Sequence, residues 1–446
     1  MSATPLFQPP HAPPLTGQES FVEATWKFIR NPVEGFGPLT YKQPIVTAKT
    51  LGRTLHVISD PEGMNQVLVK QAKAFTKTAI DARILGPATK EGLLSVHGEQ
   101  WKRQRKAVAP IFRHRHMADL APLITEVIQD FTAKLDVRPR LNLSEAMAEV
   151  TFEVLAKALL GDPEGLDRER LKTATRMVVT GAGTLRPDDL LPFPRWVPRP
   201  MKPSGTAALK RLKRAADQLI ADREKQGASE DDLVGLLIGA DALTPREKRD
   251  NLIGFFIAGH ETTALTLTWA LFLIGRHRPT LERIRAEVRN VVGDGTVDFA
   301  HLRELPFTHA VIDETMRLYP PAPLLNREPQ EPVKVLGRTL NPGDAVVLNN
   351  YVMHRTERLW DNPLLFDPDR FLRDPGLKAK GAPYMPFGAG PRICVGAAFA
   401  TMEAVMVLAT LARDYDVQIA DSVFPRPLMT VTLRPEGGVP ARLVRV

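Results

Sequence analysis

The sequence predicts a mainly α fold with a smaller β region (α+β), and three observations carry that expectation. The stretch from Thr244 to about Arg278 is almost wholly apolar between Leu252 and Ile274 and is bounded by helix start and stop signals. Helical spacing of apolar residues recurs at about 118 to 180, 205 to 225 and 397 to 411. Strand-like runs are short and come in pairs, at 45–47 with 54–58 and within 333–340.

Taken in order, residues 1–40 form a proline-rich N-terminal segment, and 41–446 are expected as the core of a single domain. The first strand pair turns at Leu51-Gly52 and ends at Asp60-Pro61. The string Leu-Gly-Arg-Thr-Leu occurs at 51–55 and again at 336–340, but nothing around it repeats at a fixed period, so it reads as shared turn chemistry. Segment 186–204 is too proline-dense for helix interior and reads as a mobile connection over one globule. Thr244-Pro245-Arg246-Glu247 supplies a capping box with proline in the first turn of the long helix; Arg276, His277 and Arg278 suit its end before Pro279.

Composition narrows the function. With 43% hydrophobic and 25% charged residues the chain is globular. Its net charge of +8, from 59 basic and 51 acidic residues mixed along the sequence, is not the footprint of a nucleic-acid binder. The first 40 residues show no cleavable apolar core and no membrane anchor, and one cysteine permits no internal disulfide, so a soluble, cytoplasmic protein is expected.

That cysteine is the most informative residue. By count alone, a single thiol reads as a small buried hydrophobe. Cys394, however, lies in Phe387-Gly-Ala-Gly-Pro-Arg-Ile-Cys-Val-Gly396, just before a helical pattern. A helix N-terminus favours negative charge by about 0.3 to 1 kcal/mol, less than one pKa unit, so a stable thiolate needs a bound cation.

The string Phe387-x-x-Gly390-x-Arg392-x-Cys394-x-Gly396 resembles the cysteine-loop signature of the cytochrome P450 family, haem-thiolate monooxygenases. The resemblance implies haem b with Cys394 as the axial iron ligand, and haem contacts from Phe387, Gly388 and Gly396. Glycines at 390 and 396 are expected to let the backbone approach the flat macrocycle. Ala258-Gly259-His260-Glu261-Thr262-Thr263, the polar interruption in the long helix, resembles the family's distal-helix motif. Ala258 and Gly259 would make room beside the haem, and Ala258 and Thr262, four apart, share a face. Glu261 and Thr262 would be the catalytic pair, relaying protons during oxygen activation. Glu314, Arg317 and Arg370, in Glu-Thr-Met-Arg and Phe-Asp-Pro-Asp-Arg-Phe, resemble the family's Glu-Arg-Arg triad.

Further roles follow from the same resemblance. Trp101, Arg105, Arg327 and Arg392 would meet the haem carboxylates. Phe255, Ala258, Ala322, Leu324, Met429 and Val431 would line an apolar substrate pocket closed by segments 78–93 and 186–204, with Arg53 at its mouth as an anchor for a carboxylate. The expected reaction inserts one atom of O2 into a medium to large hydrophobic molecule of terpenoid, steroid or fatty acyl type. Electrons would come from a ferredoxin or flavodoxin type donor with its NAD(P)H reductase, since a single cysteine cannot hold an iron–sulfur cluster. Lys102, Arg103, Lys106, Lys378 and Lys380 offer that donor a basic face, or form an ordinary solvated one. A haem-thiolate isomerase or dehydratase, a peroxygenase and a non-catalytic haem sensor remain alternatives.

Overall fold

The computed structural model describes residues 7–50, 53–112, 114–137, 139–160, 171–175, 177–178, 186–190, 197, 199, 203–226 and 233–446. Its longer helices are α1 (Phe21–Arg30), α2 (Ala79–Thr89), α3 (Gly98–Val108), α4 (His114–Val137), α5 (Leu143–Leu160), α6 (Pro203–Gln226), α7 (Pro245–Arg276), α8 (Arg278–Val292), α9 (Pro306–Leu318) and α10 (Ala397–Asp414). The fold is mainly α, as expected. The helical stretch predicted from 118 onward divides into α4 and α5, and its last part falls partly outside the described residues, as does most of 186–204.

The long helix starts where its cap residues place it. The Thr244 side chain accepts from the N–H of Glu247, whose carboxylate accepts from the N–H of Thr244. From Thr263 to Ile274 every residue of α7 is buried, because the helix passes through the middle of the molecule with α5, α6 and α10 packed around it. It is the one described helix long and apolar enough to cross a membrane, and most of that window lies in the protein core.

The β region is small. Strands β1 (Ile45–Thr50), β2 (Arg53–Ile58), β3 (Phe75–Thr76), β5 (Leu324–Pro329) and β8 (Ala345–Asn349) form one sheet in the order β1-β2-β8-β5-β3. Only β2 and β8 pair in parallel. Strand β12 (Pro440–Arg445) joins β4 (Arg140–Asn142) to β9 (Tyr415–Gln418), while β10 (Pro427–Met429) pairs with β11 (Leu433–Pro435). The second predicted hairpin is β6 (Val333–Val335) with β7 (Arg338–Leu340), turning on Leu336 and Gly337, both at positive φ. The matching turn at 51–52 falls outside the described residues.

Residues 7–16 of the proline-rich segment are strapped to the body. Phe7 accepts from the N–H of Phe366, the Tyr319 hydroxyl donates to the Pro10 carbonyl, and the N–H of Ala12 donates to the Tyr351 hydroxyl at 2.8 Å.

Candidate active site

Between α7 and the start of α10 lies a cavity of about 330 Å³, with the Cys394 thiol in its wall. The cysteine loop is held by short-range geometry. The N–H of Cys394 donates to the Phe387 carbonyl at 3.0 Å, and Gly390–Arg392 forms one 3-10 turn. Gly388 sits at φ 72 and Gly390 at φ 70, conformations that favour glycine. Helix α10 begins at Ala397 with Gly396 as its cap, so the thiol lies just ahead of the helix N-terminus. Burial by surrounding protein pushes the thiol pKa up, against the opposing pull of the Gly396 N–H and the Arg105 charge. The chain alone therefore does not ionise the sulfur, and a bound cation must.

The opposite wall is α7. Phe255, Ala258, Thr262, Thr263 and Thr266 face the cavity, as their three- and four-residue spacing requires. Their hydroxyls bond back along the helix: Thr262 to the Ala258 carbonyl at 2.8 Å, Thr263 to that of Gly259 at 3.2 Å, and Thr266 to that of Thr262 at 3.0 Å.

Glu261 is placed differently from the sequence expectation. Its carboxylate turns off the cavity, accepts from the Thr432 hydroxyl at 3.0 Å and pairs with Arg434. It lines a separate polar cleft with His260, Ala264 and Arg434. One residue of helix rotates a side chain by about 100°, so neighbours 261 and 262 address different sides.

The cavity also holds a cluster of cations. Arg105, Arg327 and Arg392 line it as expected, and Trp101 lies under Arg392, whose guanidinium sits 4.5 Å from the ring centroid. Lys77, which sequence reasoning missed, joins them and donates to the Leu94 carbonyl. Burial, with Arg392 and Arg327 adding to it and Asp81 opposing, pushes the Lys77 ammonium down to about 8. Burial and the Arg327 charge push Arg392 down to about 10, and one of its terminal nitrogens is buried with no protein acceptor. Four cations crowded against one apolar cavity call for an anionic guest. Lys77 directly follows β3 and belongs to no recognisable motif; only the cavity reveals it.

Other expectations need correction. Leu324 is not a lining residue; its neighbour Leu325 is, because successive strand residues face opposite ways and Leu324 packs with Phe36, Val57 and Val352. Met429 and Val431 do not line the cavity either, and Met429 packs against the main core. Gly259 faces α5, where a Cβ would meet Leu155 at 3.0 Å, so it serves helix packing. A Cβ on Gly390 would lie 2.0 Å from the Leu68 carbonyl oxygen, so this glycine admits the 66–70 segment, not a macrocycle. Gly396 and Arg53 are likewise off the lining, whereas Phe387, Gly388 and Ala322 are on it. Of segment 78–93 only Leu93 reaches the cavity; the N–H groups of Glu91 and Leu93 are pinned at 2.9 Å to Asp250 and Asn251 of α7.

Behind the cysteine loop Glu314, Arg317 and Arg370 meet. Glu314 takes two bonds from Arg317, at 2.7 and 2.8 Å, and one from Arg370 at 3.2 Å. Arg317 also donates to the carbonyls of His354, Pro363 and Leu365, tying α9 to the loop beyond it.

The family model described as Cytochrome P450 matches residues 37–439. The chain belongs to the cytochrome P450 family. Among similar proteins, "Putative cytochrome P450 132" of Mycobacterium tuberculosis (strain CDC 1551 / Oshkosh) is 29% identical over 93% of this P450 and 95% of its own length. "Cyclooctat-9-en-7-ol 5-monooxygenase" of Streptomyces melanosporofaciens is 28% identical over 91% and 90%. A "Cytokinin hydroxylase" of Arabidopsis thaliana is 31% identical over 78% and 71%. The P450 is thus an oxidoreductase of the monooxygenase type. Its cavity suits the family's haem-thiolate group: one thiol, a set of cations for two carboxylates, and an otherwise apolar wall.

Proposed function

We propose that this P450 binds haem b through Cys394 and uses it to insert one atom of O2 into a medium to large hydrophobic substrate. The observation that carries the reading is the single cavity shared by the Cys394 thiol, the Ala258–Thr262 face of α7 and four cations. Arg105, Arg327, Arg392 and Lys77, with Trp101, would hold the haem carboxylates. When bound, the haem-thiolate group supplies the O2 chemistry.

The chain's own residues bind, orient and exclude. Leu93, Leu94, Phe255, Ala322 and Leu325 give the cavity apolar walls that keep water from the reacting atoms. The polar side chains Asn251 and Asp250 at its edge are already committed to Leu93, Gln104, Glu91 and Arg249. A substrate therefore gains mainly from burying apolar surface, about 25 cal/mol per Å². This supports a terpenoid, steroid or fatty acyl type, as does the relative named for cyclooctat-9-en-7-ol, a hydrocarbon alcohol by its name. Thr262 holds its hydroxyl at the cavity with its proton given to the Ala258 carbonyl, so its oxygen is left to accept and would position a proton-bearing water near the reacting oxygen. Glu261 would act as a relay, its carboxylate taking a proton from solvent in the polar cleft before passing it on toward the cavity.

Two electrons would arrive from a ferredoxin or flavodoxin type donor, with NAD(P)H reductase, in the cytoplasm. Of the basic residues proposed to receive it, Lys102, Arg103 and Lys378 are paired with Glu99, Glu247 and Asp313. Lys106 and Lys380 carry no ion pair among the described residues and would contribute the free charge.

The test is spectroscopic and chemical. The reduced CO complex of purified protein should show the red-shifted Soret band of thiolate ligation, and Cys394→His should lose it. With donor, reductase and NAD(P)H, labelled O2 should enter the product; conversion without external electrons would instead mark an isomerase or dehydratase and sink the proposal.

A further inference from the structure

Two of the cations around the cavity are carried by segments that meet at one carboxylate. Lys77 stands between β3 and α2, and Thr78, the next residue, caps α2 by accepting from the N–H of Asp81. In return Asp81 Oδ2 takes the Thr78 N–H at 3.1 Å and the Thr78 hydroxyl at 2.7 Å. A capping box accounts for that oxygen and no more. The other, Oδ1, accepts at 3.1 Å from the side-chain amide of Asn326 on β5, 245 residues along the chain. Asn326 precedes Arg327, whose guanidinium donates to the Asn326 carbonyl at 2.8 Å. One carboxylate therefore joins the bend that carries Lys77 to the strand position beside Arg327, and both cations line the cavity. The sheet does not need this bond, because Thr76 of β3 already pairs with Glu328 of β5. Burial works against both cations, and Asp81 is the neighbour that opposes it at each.

We propose that Asp81 is a positioning residue which clamps the Lys77 and Arg327 segments together and so presents their two cations to the carboxylates of the cofactor. Cations on separate segments repel each other, and a negative charge placed behind the pair offsets that repulsion without occupying the cavity. The role toward the cofactor rests on the haem reading above; the clamp itself does not.

Holoprotein variants separate the clamp from the helix cap. Asn326→Leu cuts the clamp and leaves the capping box intact; transfer of haem to excess apomyoglobin should then run about threefold faster or more than in wild type. Asp81→Asn keeps the shape and removes the charge, so haem loss should accelerate likewise and the haem reduction potential should shift upward, which loss of a cap alone does not cause. In the same variant Lys77 should react faster with an amine-directed acylating reagent, read by mass spectrometry, because its ammonium loses the neighbour that helps to hold the proton. If Asp81→Asn fails to fold, Asn326→Leu decides. Unchanged haem loss in Asn326→Leu would overturn the proposal. So would an Asp81→Asn protein with a lowered melting midpoint but unmoved potential and Lys77 labelling, which would leave Asp81 a cap. Protein that takes up no haem would sink the haem reading instead, and the Lys77 labelling comparison would still decide the clamp.

Discussion

Truncating Glu314 to alanine leaves Arg317 and Arg370 buried with no carboxylate between them. Glu314 and Arg317 are 0% exposed and Arg370 is 7% exposed, and Glu314 also accepts the Asp367 N–H at 2.9 Å. Removing one partner from such a site costs about 3 to 5 kcal/mol, because the charges left behind stay out of water. The three carbonyls around Arg317 keep the cost inside that range by sharing its charge. A chain of 446 residues, at about 2.1 cal/mol/K each, unfolds with an entropy near 0.9 kcal/mol/K, so the midpoint should fall by about 3 to 5 °C. Glu314→Gln should fare little better, since its amide offers donors where two guanidiniums need acceptors. Thermal melting followed by circular dichroism, beside haem content from the CO difference spectrum, measures both consequences. A midpoint within about 1 °C of wild type with full haem content would refute the reasoning and make the triad dispensable.

Three further outcomes are expected. Burial raises the Glu247 pKa, but Arg103, the Thr244 N–H and Gln100 together hold it down at about 2, below its ordinary 4.5. Its stabilisation is thus complete above about pH 4.5 and lost as pH falls through about 2, and Glu247→Gln should flatten the acid limb of a pH–melting profile. Thr262→Ala should keep substrate binding and NAD(P)H consumption while diverting electrons to hydrogen peroxide, measured as peroxide per NAD(P)H; unchanged coupling would remove the hydroxyl from the mechanism. Ala322→Leu, which narrows the cavity, should change the product distribution on chromatography, whereas Leu324→Ala, behind the strand, should change stability and leave regiochemistry alone.

How legible the site was depended on whether a residue's role is set locally. The start of α7 follows from Thr244 and Glu247, three apart, and the Glu314–Arg317 contact follows from one turn of α9; local geometry suffices for both. Cys394 and Arg392 likewise belong to one short loop. Leu324 against Leu325 is decided by the pairing of β5 with β8, a partner some 20 residues away that no local pattern reports. The orientation of Glu261 depends on Arg434 of β11, and the need for Gly390 depends on Leu68. Both partners are brought in by the tertiary fold. Lys77 became visible only with Arg327 and Arg392 around the same cavity.

The N-terminal strap bears on when this protein can finish folding during synthesis. Ala12 bonds Tyr351 across 339 residues, and Tyr319 reaches Pro10 across 309. At about 5 to 20 residues per second, a ribosome needs about 17 to 70 s after making Ala12 to deliver Tyr351. Through that interval Ala12 lacks its hydrogen-bond partner, and Phe7 waits longer still for Phe366. Strap closure therefore waits until residue 351 has been made, and a nascent chain stalled before it should present its N-terminal stretch to protease while the released protein protects it.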